Sequence, residues 1–216
     1  LPSKKSIVFP SSCCVHCDHK LSFFDLIPLL SFLFLKGKCR YCSQTIGLRY
    51  FLVELLTGMF FLLAYYLYGF DFDFFKAIVF VCLLIVISFI DLDLMIIPDE
   101  LPVVGILLAM CFSVYDIFYN GALLKSTVVD AFVGGGMGAG IMLLMFLVGW
   151  LVYRQETLGG GDVKMMFMVG LFLGAKSIVI AVMVSILLGG IIGGLLVVFK
   201  IKSRKDFMPF GPFLAL

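Results

Sequence analysis

The chain has 216 residues, of which 62% are hydrophobic and 14% charged, and its formal net charge is +2. Soluble domains carry about 45–50% apolar and about 25% charged residues, so the apolar surplus here must face lipid. The near-neutral charge offers no electrostatic footprint for nucleic acid, disorder would need low hydrophobicity, and the apolar runs are continuous where a transmembrane β-barrel would alternate. An all-α polytopic membrane protein is therefore expected, with the lipid bilayer as its first partner.

The chain starts at Leu1 without an initiator Met, shows no secretory signal peptide and stops at Leu216 inside an apolar stretch, so it is expected to be a segment of a longer protein. Residues 1–49 differ from everything after them: they hold five of the seven cysteines, both histidines and seven of the sixteen basic residues. Their apolar stretch Leu21–Leu35 carries Asp25 and Pro28. It falls short of the roughly 20 residues that cross a bilayer, which makes it a buried or interfacial part of a small polar domain. Residues 50–216 form the membrane domain. Its apolar runs are Tyr50–Phe70, Phe75–Ile90, Leu101–Tyr119, Ala131–Tyr153, the short Val163–Gly174, Ser177–Phe199 and the opening of another at Phe207–Leu216. Six or seven transmembrane helices are expected from these runs. The short run that follows a glycine cluster is where irregular backbone at membrane depth would line a cavity.

Orientation follows from the basic residues. With the cysteine domain inside, Lys76, Lys125 and Lys176 lie near outer loops, while the other thirteen, among them Arg154, Lys164, Lys200, Lys202, Arg204 and Lys205, fall inside. The cysteine side is expected to be cytoplasmic.

Cys14-x-x-Cys17 and Cys39-x-x-Cys42 are two pairs 21 residues apart, just beyond the usual spacing of a four-cysteine zinc site. Four thiolates saturate a tetrahedral zinc and leave no position for water, so the role is structural. A disulfide or thiol-exchange role is the rival, although a cytoplasmic location disfavours a lasting disulfide. Cys13 could replace Cys14 in register, and His16 and His19 are possible further ligands or plain surface residues. Cys82 and Cys111, inside apolar runs, read as small core residues.

Asp71, Asp73 and Asp116 fall in outer loops and Asp206 in an inner one, whereas Glu54, Asp91 and Asp162 lie at or within apolar runs. Ionisable groups there are costly and usually functional. Asp91 ends the run Ile87-Ser88-Phe89-Ile90, and Asp162 closes Gly159-Gly160-Gly161-Asp162 at a helix start, where the first N–H groups favour a negative group. Topology puts both at the inner face, 71 residues apart in sequence. If the fold brings them together, they would share a proton, one acting as general base to water and the other as general acid to a peptide carbonyl. The alternative is that they are interface caps or part of an ion path.

Several segments together resemble the type IV prepilin peptidases, membrane aspartic peptidases of the GxGD kind. They are Ser12-Cys13-Cys14 to Cys17, Asp25-Leu26-Ile27-Pro28-Leu29-Leu30-Ser31, Lys36-Gly37-Lys38-Cys39-Arg40-Tyr41-Cys42, Arg49-Tyr50 with Glu54-Leu55-Leu56-Thr57-Gly58, Asp91 with Ile97-Pro98-Asp99, Gly159 to Lys164, and Pro209-Phe210-Gly211-Pro212-Phe213. The resemblance implies removal of a short basic leader from type IV prepilins or pilin-like competence and secretion precursors, at the cytoplasmic face of the inner or cytoplasmic membrane. It implies N-methylation of the new terminus with S-adenosylmethionine. It also implies Asp91 and Asp162 as catalytic residues, Cys14, Cys17, Cys39 and Cys42 as zinc ligands, and about eight helices in the full-length protein. Asp91 is preferred over the nearby Asp93 and Asp99 because it leads its segment. Glu54 and the cysteine domain are the region where methyl transfer would be supported, without roles assigned. Two features depart from the family pattern: the helix that usually precedes Leu1-Pro2 is missing, and Cys13 is an extra cysteine. Preflagellin and presenilin-like GxGD peptidases generally lack the double CxxC domain. A zinc-stabilised transporter or assembly scaffold, with the aspartates moving ions or protons, is the rival of a different class.

Overall fold

The computed structural model describes residues 13–14, 16–119, 124–154, 159–199 and 211–212. Lys4, Lys5, the basic run from Lys200 to Lys205, Asp206 and most of the expected last apolar run lie outside the described residues. The chain divides into two compact units, Leu1–Phe70 and Asp71–Leu216.

In the first unit, two isolated antiparallel bridges, Cys13 with Lys20 and Lys38 with Thr45, each close a loop around one CxxC pair. The loops repeat one hydrogen-bond pattern. Cys14 N–H donates to the His19 carbonyl at 3.0 Å and Asp18 N–H to the Cys14 carbonyl at 2.9 Å; Cys39 N–H donates to Gln44 at 2.8 Å and Ser43 N–H to Cys39 at 2.9 Å. Asp18 and Ser43 occupy the same place and share a positive φ, 51° and 57°. Between the loops lie a 3-10 turn, Phe23–Leu26, and a short helix α1, Leu30–Phe34. The turn is closed by Ser22 and Asp25: both the backbone N–H and the hydroxyl of Ser22 donate to the Asp25 carboxylate. Helix α2, Leu48–Tyr68, follows Gly47 and ends at Gly69, whose φ of 64° stops it.

The second unit is a helical bundle. Helix α3, Phe72–Leu94, is capped by Asp71, whose carboxylate accepts the Phe72 N–H at 2.7 Å, and it ends at Met95 in the left-handed region. Helices α4, Glu100–Tyr119, α5, Leu124–Tyr153, and α6, Gly160–Val198, complete it. The core is built from Ile87 of α3, Ala109 of α4, Met142 of α5 and Met165, Met166, Met168, Val169, Ile178 and Val182 of α6.

Five helices among the described residues are long and apolar enough to cross a membrane: α2, α3, α4, Val128–Leu151 of α5 and Gly160–Leu196 of α6. The protein is an all-helical multi-pass membrane protein with a four-cysteine cluster near its amino terminus. The count of five meets the expected six or seven once α6 is inspected. Gly174, with φ 76° and ψ 174°, is not helical and divides α6 into two arms. A Cβ on Gly138 of α5 would stand 2.6 Å from the Met166 carbonyl oxygen and 3.1 Å from Ile178 Cγ1. Twelve residues of continuous helix would set Met166 and Ile178 about 18 Å apart, so the second arm folds back along α5. The two arms correspond to the runs expected at Val163–Gly174 and Ser177–Phe199. Asp130 of α5 accepts the Ala175 N–H at 3.4 Å and caps the second arm.

Glycine permits this packing. A Cβ on Gly134 would come within 2.6 Å of the Gly174 carbonyl carbon, one on Gly170 would strike the Gly134 backbone, and Gly136 and Gly140 have open space. Gly134 thus faces Gly170 and Gly174, and Gly138 faces the Met166 backbone, at the backbone contact that small residues allow between membrane helices. Gly134→Ala is expected to cost about 1–3 kcal/mol by overpacking, read as a lower melting temperature in detergent. Gly136→Ala is expected to leave it unchanged.

Candidate active site and metal centre

Asp91 and Asp162 are 6% and 9% exposed, and with Ser185 they make up the buried polar residues among those described. Asp91 lies in the last turn of α3, where its carbonyl accepts the Met95 N–H at 2.8 Å as the helix stops. Asp162 lies in the first turn of α6: its N–H donates to the Gly159 carbonyl at 3.1 Å, and its Oδ2 accepts the Gly159 N–H at 3.2 Å. The carboxylate's bond back to Gly159 is the N3 half of a capping box, and it holds the carboxylate against the helix N-terminus.

Two contacts join the elements that carry these residues. A Cβ on Gly161 would stand 2.8 Å from Ile97 Cβ, so glycine lets the start of α6 press against the α3–α4 connection. Lys164 Nζ of α6 pairs with Asp99 Oδ2 of that connection at 2.7 Å. The two buried carboxylates come within electrostatic reach of each other. Asp93 and Asp99 are both exposed, so the acidic cluster of this segment resolves into one buried member and its exposed neighbours.

One contact was not legible in the sequence. Gly211 is buried, and its N–H donates to Asp91 Oδ2 at 2.9 Å across 120 residues of chain. Each aspartate thus has its Oδ2 held by a glycine amide, Asp91 by Gly211 and Asp162 by Gly159.

In the first unit, Cys14, Cys17, Cys39 and Cys42 bring their Sγ atoms within 4.8 Å of one another, a cluster that could hold a metal ion. Cys14 Sγ and Cys42 Sγ stand 3.9 Å apart, close to the edge of a tetrahedron with metal–sulfur bonds of about 2.3 Å and far from the 2.05 Å of a disulfide. The backbone N–H groups of His16 and Cys17 hold the Cys14 thiol down to about 6 and favour its thiolate, whereas, against backbone N–H groups that lower them, burial and the neighbouring thiols push Cys17 up to about 12 and Cys42 up as well. Cys13 is exposed and outside the cluster, and the His19 ring lies against Tyr41 instead, at 3.8 Å. Beside the cysteines is a cavity of about 370 Å³ whose lining includes His16, Arg40, Gln44, Thr45, Tyr50 and Glu54.

Residues 1–68 match the family model described as Bacterial Peptidase A24 N-terminal domain, and residues 78–194, more than half of the chain, match the one described as Type IV leader peptidase family. The chain belongs to the type IV leader peptidase family. The four clustered cysteines fall inside the first match, and Asp91 and Asp162 inside the second. The chain is similar to the prepilin leader peptidase/N-methyltransferase of Myxococcus xanthus, with 36% identity over 197 residues that cover 89% of this chain and 56% of that relative. It is 31% identical to the protein of that name in Aeromonas hydrophila, covering 98% of this chain and 70% of the relative. It is also 32% identical to that of Bacillus subtilis, covering 100% and 82%. No solved structure matches the chain.

Proposed function

We propose that this leader peptidase family member is an aspartic endopeptidase that removes the leader of type IV prepilins or pilin-like precursors, with Asp91 and Asp162 as its catalytic pair. The observation that carries the reading is two buried carboxylates within electrostatic reach of each other, each with Oδ2 held by a glycine amide. That leaves Oδ1 of each for the reaction. The ionised aspartate takes a proton from water as the water oxygen bonds to the scissile carbonyl carbon, and the protonated one gives its proton to the carbonyl oxygen. Collapse of the tetrahedral intermediate breaks the C–N bond: the leaving nitrogen takes the proton held by the first aspartate, and the second takes one hydroxyl proton back as the carboxyl group forms. The excess of basic residues on the side of the cysteine domain supports a cytoplasmic-face site in the cytoplasmic or inner membrane. On this reading residues 1–49 are the metal domain and residues 50–216 the peptidase domain.

Zinc is the metal that fits the cluster: four thiolates at tetrahedral spacing form a closed site that stabilises the fold and leaves no catalytic position. The relatives' name includes N-methyltransferase, and we assign that second activity to this chain as well. S-adenosylmethionine, which supplies the methyl group, suits the cavity beside the cysteines, where Arg40, Gln44 and Glu54 could hold its amino-acid and ribose groups and Tyr50 offers a ring for the adenine.

The test is cleavage of a prepilin by the full-length protein in vesicles, with the products weighed by mass spectrometry. Loss of the leader is the expected result, followed by a one-methyl mass gain when S-adenosylmethionine is added. An intact precursor would overturn the peptidase reading and favour ion or proton movement by the aspartates. A further consequence concerns Gly211, where a Cβ would stand 2.6 Å from Asp91 Oδ2. Gly211→Ala is expected to slow cleavage by about 10²-fold, the scale of a small misplacement of a reacting group, with the precursor still bound.

A further inference from the structure

The segment between the two cysteine loops is apolar, and it is not buried. Phe23 and Phe34 are 79% and 82% exposed, and Phe24, Leu30 and Leu33 each present half or more of their surface. Its one acidic residue, Asp25, is turned inward: the Asp25 side chain is 4% exposed and pairs with Arg40 Nε at 2.8 Å. What remains outside is a set of exposed apolar side chains, flanked in sequence by the exposed lysines Lys20, Lys36 and Lys38.

The depth of this patch is set by α2, in the same unit. Helix α2 has 21 residues, so it is about 31 Å long, just enough for the hydrocarbon core. Its first residue, Leu48, therefore sits near one boundary. The Leu29 N–H donates to Glu54 Oε2 at 2.7 Å, and the Phe32 ring lies 5.1 Å from that of Phe51. Phe51 and Glu54 lie about 5 and 9 Å along the helix from Leu48, within the depth at which interfacial segments rest. Leu29 has a φ of 60°, costly for a residue with a Cβ. The Glu54 carboxylate takes up an N–H that lipid could not satisfy.

We infer that the segment from Ser22 to Leu35 is an interfacial hairpin seated in the leaflet that adjoins the start of α2, with Phe23, Phe24, Leu30, Leu33 and Phe34 at the acyl boundary. The occupant of the patch is the bilayer. The start of α2 is itself exposed and apolar at Leu48 and Leu52, and the exposed lysines that flank the segment in sequence suit anionic headgroups.

The experiment uses the full chain with its single tryptophan, Trp150, replaced by Phe and Phe34→Trp introduced, reconstituted in phosphatidylcholine–phosphatidylglycerol vesicles. Emission is expected to shift to the blue and to fall by roughly half when the acyl chains carry bromine near the headgroup, the depth of an interfacial segment. Acrylamide in the water is expected to have little effect. Strong acrylamide quenching without bromine quenching would overturn the inference and put the patch in solvent. Protection from both would overturn it in favour of a protein contact, with a second copy or another part of the chain. Phe23→Trp, read in the same way, tests the same patch if Phe34→Trp does not fold, and retained metal reports folding in either variant. No readout depends on peptidase activity.

Discussion

Replacing Asp162 by Asn is expected to lower the rate of leader removal by about 10³-fold or more, the scale of lost general acid–base catalysis, without unfolding the protein. The amide has the shape of the carboxylate, and its oxygen can still accept the Gly159 N–H that closes the first turn of α6. Asp91→Asn is expected to behave alike, its amide oxygen keeping the bond from Gly211. Both carboxylates are buried, so a neutral amide in place of either removes the cost of holding a charge there. The melting temperature of each variant should equal or exceed that of the wild type. This combination, lost activity with undiminished stability, separates a catalytic carboxylate from a structural one. Activity assays with melting curves on the same preparations check it. Asp93→Asn, at an exposed position, is expected to cleave normally.

The second large effect concerns the cysteine cluster. Cys14→Ser combined with Cys17→Ser removes half of the thiolates that lie within 4.8 Å of one another. Structural zinc contributes an apparent 10–16 kcal/mol, roughly, to the folding of small zinc domains, and each loop it would join is closed by one isolated bridge and a few backbone hydrogen bonds, with the His19–Tyr41 ring contact between them. Bound metal, measured by elemental analysis, is expected to fall close to zero, and the unit is expected to become sensitive to protease. Cys13→Ser should keep the metal, because Cys13 stands outside the cluster. Normal metal content in the double variant would contradict the zinc assignment and return the cysteines to a redox role.

Features that depend on local chemistry were legible in the sequence. The two CxxC loops repeat the same hydrogen bonds because each is a short, self-contained turn. The apolar runs from Tyr50 to Phe199 became helices because lipid leaves backbone groups few other partners. The split of the last long helix near Gly174 was also visible, as a short run followed by a full one, since glycine tolerates the φ of 76° found there.

What was hidden depends on residues far apart in the chain. Nothing near Gly211 in sequence says that its N–H reaches Asp91, and the segment read only as the opening of a last helix. Glu54 stood out as a charge in an apolar run, yet its partner is a backbone N–H 25 residues away. Asp130 drew no notice because it lies at the margin of its run, and its role emerges only when α6 doubles back to present Ala175. Composition alone leaves the stretch from Leu21 to Leu35 either buried or interfacial, and the structure decides against burial for Phe23, Phe24 and Phe34, which are exposed. Asp91 and Asp93 differ likewise in burial, since two residues of helix turn the side chain by about 200°, so that one is buried and the other exposed.

The most direct test is a cycle of single and double variants in one prepilin cleavage assay: wild type, Asp91→Asn, Asp162→Asn and both together. Residues that act as one catalytic unit lose nearly everything when either is removed. Both single variants and the double variant are therefore predicted to fall to the same residual rate. A wild-type rate in either single variant, or losses that multiply in the double variant, would contradict a shared catalytic pair.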